Sequence, residues 1–158
     1  MVVLERLEQE HREVLEKFGL LTVTLQDIET RGVELLKEQG SLKAISDLLE
    51  HAIPDHFEKE EKVLFPFLEK VIPSERRFVA ELLGEHERIM KAIAAFLKDV
   101  RSPAVSLDEL RNRLRTLTED ISAHAKKENE ELLPLARRFL SEAQLKELDR
   151  LASQIVRT

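Results

Sequence analysis

Two stretches of this chain place a histidine and a glutamate one helical turn apart, His56-x3-Glu60 and His124-x3-Glu128. Each leads into the same kind of tail, Leu64-Phe65-Pro66 in the first and Leu132-Leu133-Pro134 in the second. Each also follows a Glu-His pair, Glu10-His11 and then Glu85-His86. Self-similarity on this scale marks two copies of one supersecondary unit. Here the unit is a helix pair, its first helix offering a His and its second a His and a Glu. Residues four apart share a helix face, so His56 and Glu60 can reach one point in a core, as can His124 and Glu128. Four imidazoles and two carboxylates that converge in this way form the ligand set of a two-metal site inside a four-helix bundle.

A single histidine on an apolar stripe is usually a hydrogen-bonded core residue. Four on successive helices, two of them with a Glu one turn along, are harder to explain that way. An ionised carboxylate in a core is costly unless it is paired or binds a metal. The chain has no cysteine, which excludes thiolate zinc, iron–sulfur ligation and disulfides and leaves nitrogen and oxygen as donors. Two octahedral ions need about twelve bonds. The histidines supply four, two bridging glutamates four more, and an oxo or hydroxo bridge two. About one position per ion then stays open for a small exogenous ligand. Such ligation suits two iron ions first, manganese second and zinc after them. With no Tyr and no Trp, the chain lacks an aromatic relay for a stable protein radical.

Neighbouring residues carry less. His51 lies roughly 140° around an ideal helix from His56 and reads as a surface or outer residue, although a distortion at Pro54 would bring it nearer. Glu58, Glu61, Glu130 and Glu131 flank the glutamate ligands; Glu61 and Glu131 are candidate outer acceptors for histidine N–H groups, and the rest read as solvated. The Leu-Phe-Pro and Leu-Leu-Pro tails read as core side chains followed by a helix break.

The elements that must position these residues are legible from periodicity. A first helix over about residues 3–38 carries Leu4, Leu7, His11, Val14, Leu15, Phe18, Leu21 and Leu25. Gly40-Ser41 is a stop and a restart. A second helix carries Ile45, Leu48, Leu49, Ala52, His56 and Val63, with Pro54 inside it predicting a kink just before His56. Pro66 sits near its end and Pro73-Ser74 is the next break. A third helix from near Ser74 has Leu82, Leu83, His86, Ile89, Met90, Ile93 and Leu97 on one stripe, and Arg101-Ser102-Pro103 ends it. Ser106-x-x-Glu109 is a capping box opening a fourth helix with Leu110, Leu114, Leu117, Ile121, His124, Glu128 and Leu132. Ser141-x-x-Gln144 opens a short fifth helix with Leu145, Leu148, Leu151 and Ile155 on one face. The predicted fold is all-α: an up-down-up-down four-helix bundle with a short fifth C-terminal helix, in one domain over residues 1–158. The fifth helix is expected to pack across one end of the bundle, with a homodimer contact as its alternative role.

Composition agrees. A length of 158 residues suits one domain, and 35% charged with 42% hydrophobic residues suits long amphipathic helices. The net charge of −6 argues against nucleic acid as a partner. Arg111, Arg113 and Arg115 are interleaved with acids and read as a solvated helix face. No signal peptide or transmembrane run is seen, so no membrane is implied and the cytoplasm is the expected compartment.

With these residues in view, the chain resembles the hemerythrin-like proteins, the HHE cation-binding family. The stretches EHREVLEKF, DHFEKEEKVLFP, GEHERIM and AHAKKENEELLP are similar to its four helix motifs. The resemblance covers about residues 5–140 and implies a four-helix bundle with a non-haem di-iron centre. It implies that His11, His56, Glu60, His86, His124 and Glu128 are the ligands. The oxygen carriers of that family have a fifth histidine one turn before the His of the third helix, where this chain has Leu82; Met90, one turn after it, is apolar too. They also use a His-x4-Asp on the last helix, where this chain has Asn129. Both departures count against reversible oxygen carriage. The four-His, two-Glu set is closer to the di-iron domain of iron–sulfur-cluster repair proteins, whose cysteine-bearing N-terminal domain has no counterpart in this cysteine-free sequence.

Three functions of different class follow. The first is a di-iron protein that binds or reacts with a small ligand, either diatomic (oxygen or nitric oxide) or peroxide. The second is an iron-responsive regulatory or interaction module whose metal loading controls partner binding. The third is a metal-free helical interaction domain, in which removing His56 or Glu60 would stabilise the fold or leave it unchanged.

Overall fold

The computed structural model describes residues 2–31, 46–102, 104 and 106–156, and of residues 18, 20–31, 107, 155 and 156 it describes the backbone alone. Five helices and no strand are found among the described residues. They are α1 (Val2–Arg31), α2 (residues 46–71), α3 (Arg76–Val100), α4 (residues 107–139) and α5 (Glu142–Val156). The Gly40-Ser41 break, Ile45 and Pro103 lie outside the described residues, as do the side chains of Phe18, Leu21, Leu25 and Ile155. No helix among the described residues is long and apolar enough to cross a membrane.

Local sequence explains the helix ends. A 3-10 turn, Pro73–Glu75, leads into α3. Ser106 Oγ accepts from the Glu109 N–H at 3.2 Å to start α4. At α5 the capping box is reciprocal: Ser141 Oγ accepts from Gln144 N–H at 3.2 Å, and Gln144 Oε1 accepts from Ser141 N–H at 2.8 Å. Helix α1 is capped in trans, since Asp149 of α5 accepts from the Val2 and Val3 N–H groups at 3.2 and 2.8 Å.

The prolines behave differently from the sequence expectation. Neither Pro66 nor Pro134 breaks its helix; α2 runs on to Val71 and α4 to Phe139. A wide π-helical turn precedes each proline instead, Glu60–Leu64 before Pro66 and Glu128–Leu132 before Pro134. The Phe65 N–H reaches back five residues to Glu60 O, and the Leu133 N–H to Glu128 O. Widening the turn keeps the proline ring off the carbonyl it would otherwise strike, so the missing N–H costs one ladder bond rather than the helix. Pro54 follows the same rule, with a π turn at Leu48–Ala52. That turn adds a residue to the register and leaves Ala52 exposed, while Phe57 is buried.

Two apolar clusters result. One gathers Val14, Leu48, Leu49, Ile53, Phe57, Ile89, Ile93, Phe96, Leu114, Leu117 and Ile121. The other joins the start of α1 (Val3, Leu4, Leu7) to Val63, Leu64, Phe65, Leu68, Leu82, Leu132, Leu133 and the inner face of α5 (Leu145, Leu148, Ala152). Helix α5 therefore packs onto α1 and the Glu60–Leu64 turn of α2. On α3 the stripe needs one correction: Met90 is exposed, and Phe96 takes the buried place beyond Ile93. Arg113 and Arg115 are exposed and Arg111 is half-buried.

Candidate metal centre

Six polar side chains are buried among the described residues: His11, His56, Glu60, His86, His124 and Glu128. They are the six singled out from the sequence. His11 comes from α1, His56 and Glu60 from α2, His86 from α3, and His124 and Glu128 from α4. Both glutamates are 0% exposed. The side chains form two overlapping groups, His11–His56–Glu60–Glu128 and Glu60–His86–His124–Glu128, with donor atoms in each group within 4.8 Å of one another. The two carboxylates belong to both groups.

The donor atoms face inward. His11 Nε2 lies 2.8 Å from His56 Nε2, and His86 Nε2 lies 2.9 Å from His124 Nε2. Glu60 Oε1 sits 3.3 Å from His56 Nε2 and 3.2 Å from His86 Nε2. Glu128 lies 3.5 Å from both His11 Nε2 and His86 Nε2 and also contacts His124 Nε2. Yet all four carboxylate oxygens are buried without an aligned hydrogen bond.

Outer residues set the histidine tautomers. Asn129 Oδ1, an acceptor, lies 2.5 Å from His11 Nδ1; Glu85 Oε1, another acceptor, lies 3.2 Å from His124 Nδ1. Each therefore places the proton on Nδ1 and leaves a bare Nε2 turned inward. His56 Nδ1 faces Glu10 at 3.7 Å and His86 Nδ1 faces Glu61 at 3.8 Å. Lys59 holds Glu10 at 3.0 Å, and Lys127 holds Glu85 at 2.9 Å. Phe57 stacks on the His86 ring, with centroids 3.7 Å apart and planes 8° from parallel. Two surface clefts, about 160 and 90 Å³, share Glu10 and Lys59 in their walls.

Electrostatics follow from burial and these neighbours. Burial pushes Glu60 up, but His56 and then His86 outweigh it and hold the carboxyl far below the usual range. Burial opposes a charge on His56, yet Glu60 and Glu10 overcome it and raise the imidazole. Burial and the adjacent His56 lower His11; burial and His86 lower His124. In the His11–His56 pair one ring thus stays bare at Nε2 while the other takes the proton. Two ring nitrogens this close need a cation between them or a proton on one. The donor set, inward-facing imidazole nitrogens beside buried carboxylate oxygens without an aligned hydrogen bond, could hold a metal ion in either of the two overlapping groups.

The outer layer was only partly legible. Glu61 stands near His86 as anticipated, but Glu131 is exposed, Glu58 pairs with Lys62 at the surface, and His51 is exposed and outside both groups. Glu10, Glu85, Lys59, Lys127, Asn129 and Phe57 had been given no role. The repeat itself held the signal for four of them, since Glu precedes His in both first helices and Lys precedes Glu in both His-x2-Lys-Glu stretches.

No curated protein matches the chain. The family model for the hemerythrin HHE cation binding domain matches residues 2–136, and the chain belongs to that family.

Proposed function

We propose that this chain is a dinuclear non-haem iron protein, built on an up-down-up-down four-helix scaffold, that binds or reacts with a small molecule such as oxygen, nitric oxide or peroxide. The observation that carries this reading is the set of four carboxylate oxygens on Glu60 and Glu128, buried and without hydrogen-bond partners between two facing pairs of imidazole nitrogens. In it His11 and His56 would hold one ion and His86 and His124 the other, with Glu60 and Glu128 available to both. Bound iron would supply redox chemistry and the open coordination positions. The protein's own residues do the rest. Glu85 and Asn129 orient histidine rings through Nδ1, and Glu10 faces His56 Nδ1 at 3.7 Å. Phe57 and Phe65, stacked on or near His86, exclude water from that side. The Glu10–Lys59 pair lies between His56 and the walls of the two surface clefts. The test is to mix the reduced, iron-loaded protein with each of the three molecules and follow its absorption. A spectral change with at least one is expected; none with any would sink the reading.

One observation favours a second reading, an iron-responsive module. Helix α5 contacts the π turn that begins at Glu60, so metal loading reaches the outermost helix through one turn of backbone. In that case hydrogen exchange in α5 slows on metal loading; identical exchange with and without metal excludes it.

A further inference from the structure

The two halves of the site are related by the sequence repeat, and the repeat breaks at two outer positions. Glu10, held by Lys59, stands 3.7 Å behind His56, whose Nδ1 is buried without a hydrogen bond. Glu85, held by Lys127, stands behind His124 at 3.2 Å, so each half keeps a Glu–Lys pair at this place. The remaining pair is unmatched. Asn129, the residue after Glu128, puts a neutral amide oxygen 2.5 Å from His11 Nδ1. Its counterpart after Glu60 is Glu61, whose carboxylate lies 3.8 Å from His86 Nδ1. That nitrogen is buried and otherwise unpartnered, and Glu61 is an exposed side chain. The second break is Phe57, stacked on His86, where the matching position in the other half is Ala125, with no ring to offer.

An imidazole whose Nδ1–H faces a carboxylate is a more basic donor at Nε2 than one facing a neutral amide. The short contact to Asn129 fixes the His11 ring but adds no charge. A stacked aromatic ring keeps water off His86 and so strengthens the effect of nearby charge. Resting on the dinuclear reading, we propose that the two metal positions are inequivalent, the His86–His124 position binding a divalent ion more tightly than the His11–His56 position. Glu61 and Asn129 are the positioning residues that set the difference.

The experiment is a titration of the metal-free chain with cobalt(II), followed by calorimetry and visible absorption. Two steps differing by about tenfold or more in affinity are expected, the range by which such outer partners act. Glu61→Gln should weaken the tight step selectively. Asn129→Asp should strengthen the loose step, and so narrow the gap from the other side. A purely structural role would instead lower both steps together. Circular dichroism and Tm of the metal-free variants check folding, and if one variant fails to fold the other still decides. Two equal steps in the wild type overturn the inequivalence, and a gap that both substitutions leave unchanged overturns the part assigned to Glu61 and Asn129; neither result touches the dinuclear reading. No cobalt uptake at all overturns the dinuclear reading beneath it.

Discussion

At the scale of single residues, Glu60 and Glu128 are the improbable ones. A carboxylate with 0% exposure and no aligned hydrogen bond is a feature that folding opposes unless a cation compensates it. Glu60→Gln keeps the shape and removes the charge, and His56 can lose its proton in response. The metal-free variant should therefore melt close to the wild type. In the loaded protein the metal-dependent stabilisation should vanish. That stabilisation is about 3 kcal/mol at free metal a hundredfold above Kd, a Tm rise of roughly 5–10 °C for a chain of this size. A variant that kept the full rise would show that Glu60 is no ligand. The six inner residues were legible because burial and helical spacing constrain them together. Of the outer ones only Glu61 was, because Glu10 and Asn129 reach histidines on other helices, and spacing within one helix says nothing about its neighbours.

At the scale of elements, the prolines were the misreading. Pro66 and Pro134 carry the chemistry of helix breakers, and periodicity alone cannot show that a five-residue turn upstream absorbs them. Because the π turns begin at Glu60 and Glu128, the prolines help to set where each carboxylate points. Pro66→Ala restores an N–H and lets the turn relax to α geometry. Melting of the metal-free form should rise, while metal affinity falls about tenfold as Glu60 is displaced. Unchanged affinity, measured by the same cobalt titration, would leave the π turn without a role in the site.

The caps, by contrast, were legible where local and hidden where tertiary. Ser106 and Ser141 announce themselves by sequence; Asp149 on the start of α1 does not, since the two ends lie far apart in the chain. Partial burial pushes the Asp149 carboxyl up, but the donors at the start of α1 outweigh this and hold it below its ordinary value. Its contribution is therefore complete above the ordinary aspartate range and is lost as pH falls through the depressed native value. Asp149→Ala should cost about 1 kcal/mol at neutral pH. The difference from wild type should shrink toward zero in strong acid, as denaturant melts at several pH values will show.

At the scale of the molecule, the polar layer lies where the two apolar clusters meet, and α5 completes the cluster that also holds Leu64, Phe65 and Leu132. Leu148 is 0% exposed there. Leu148→Ala should cost about 2–5 kcal/mol in both metal-free and loaded protein, with the metal-to-protein ratio unchanged. A variant that instead lost metal would tie α5 directly to the site. The helical bundle and the buried face of its last helix were readable from the twofold repeat and from the apolar spacing of Leu145 and Leu148.

The central claim is that the buried His and Glu residues hold two irons. Metal content per chain, by plasma mass spectrometry together with a near-ultraviolet spectrum, tests it most directly, because a chain without Tyr or Trp is nearly transparent there. About two irons per chain with a charge-transfer band is the predicted result. No metal, even after anaerobic reconstitution with ferrous iron, would contradict it.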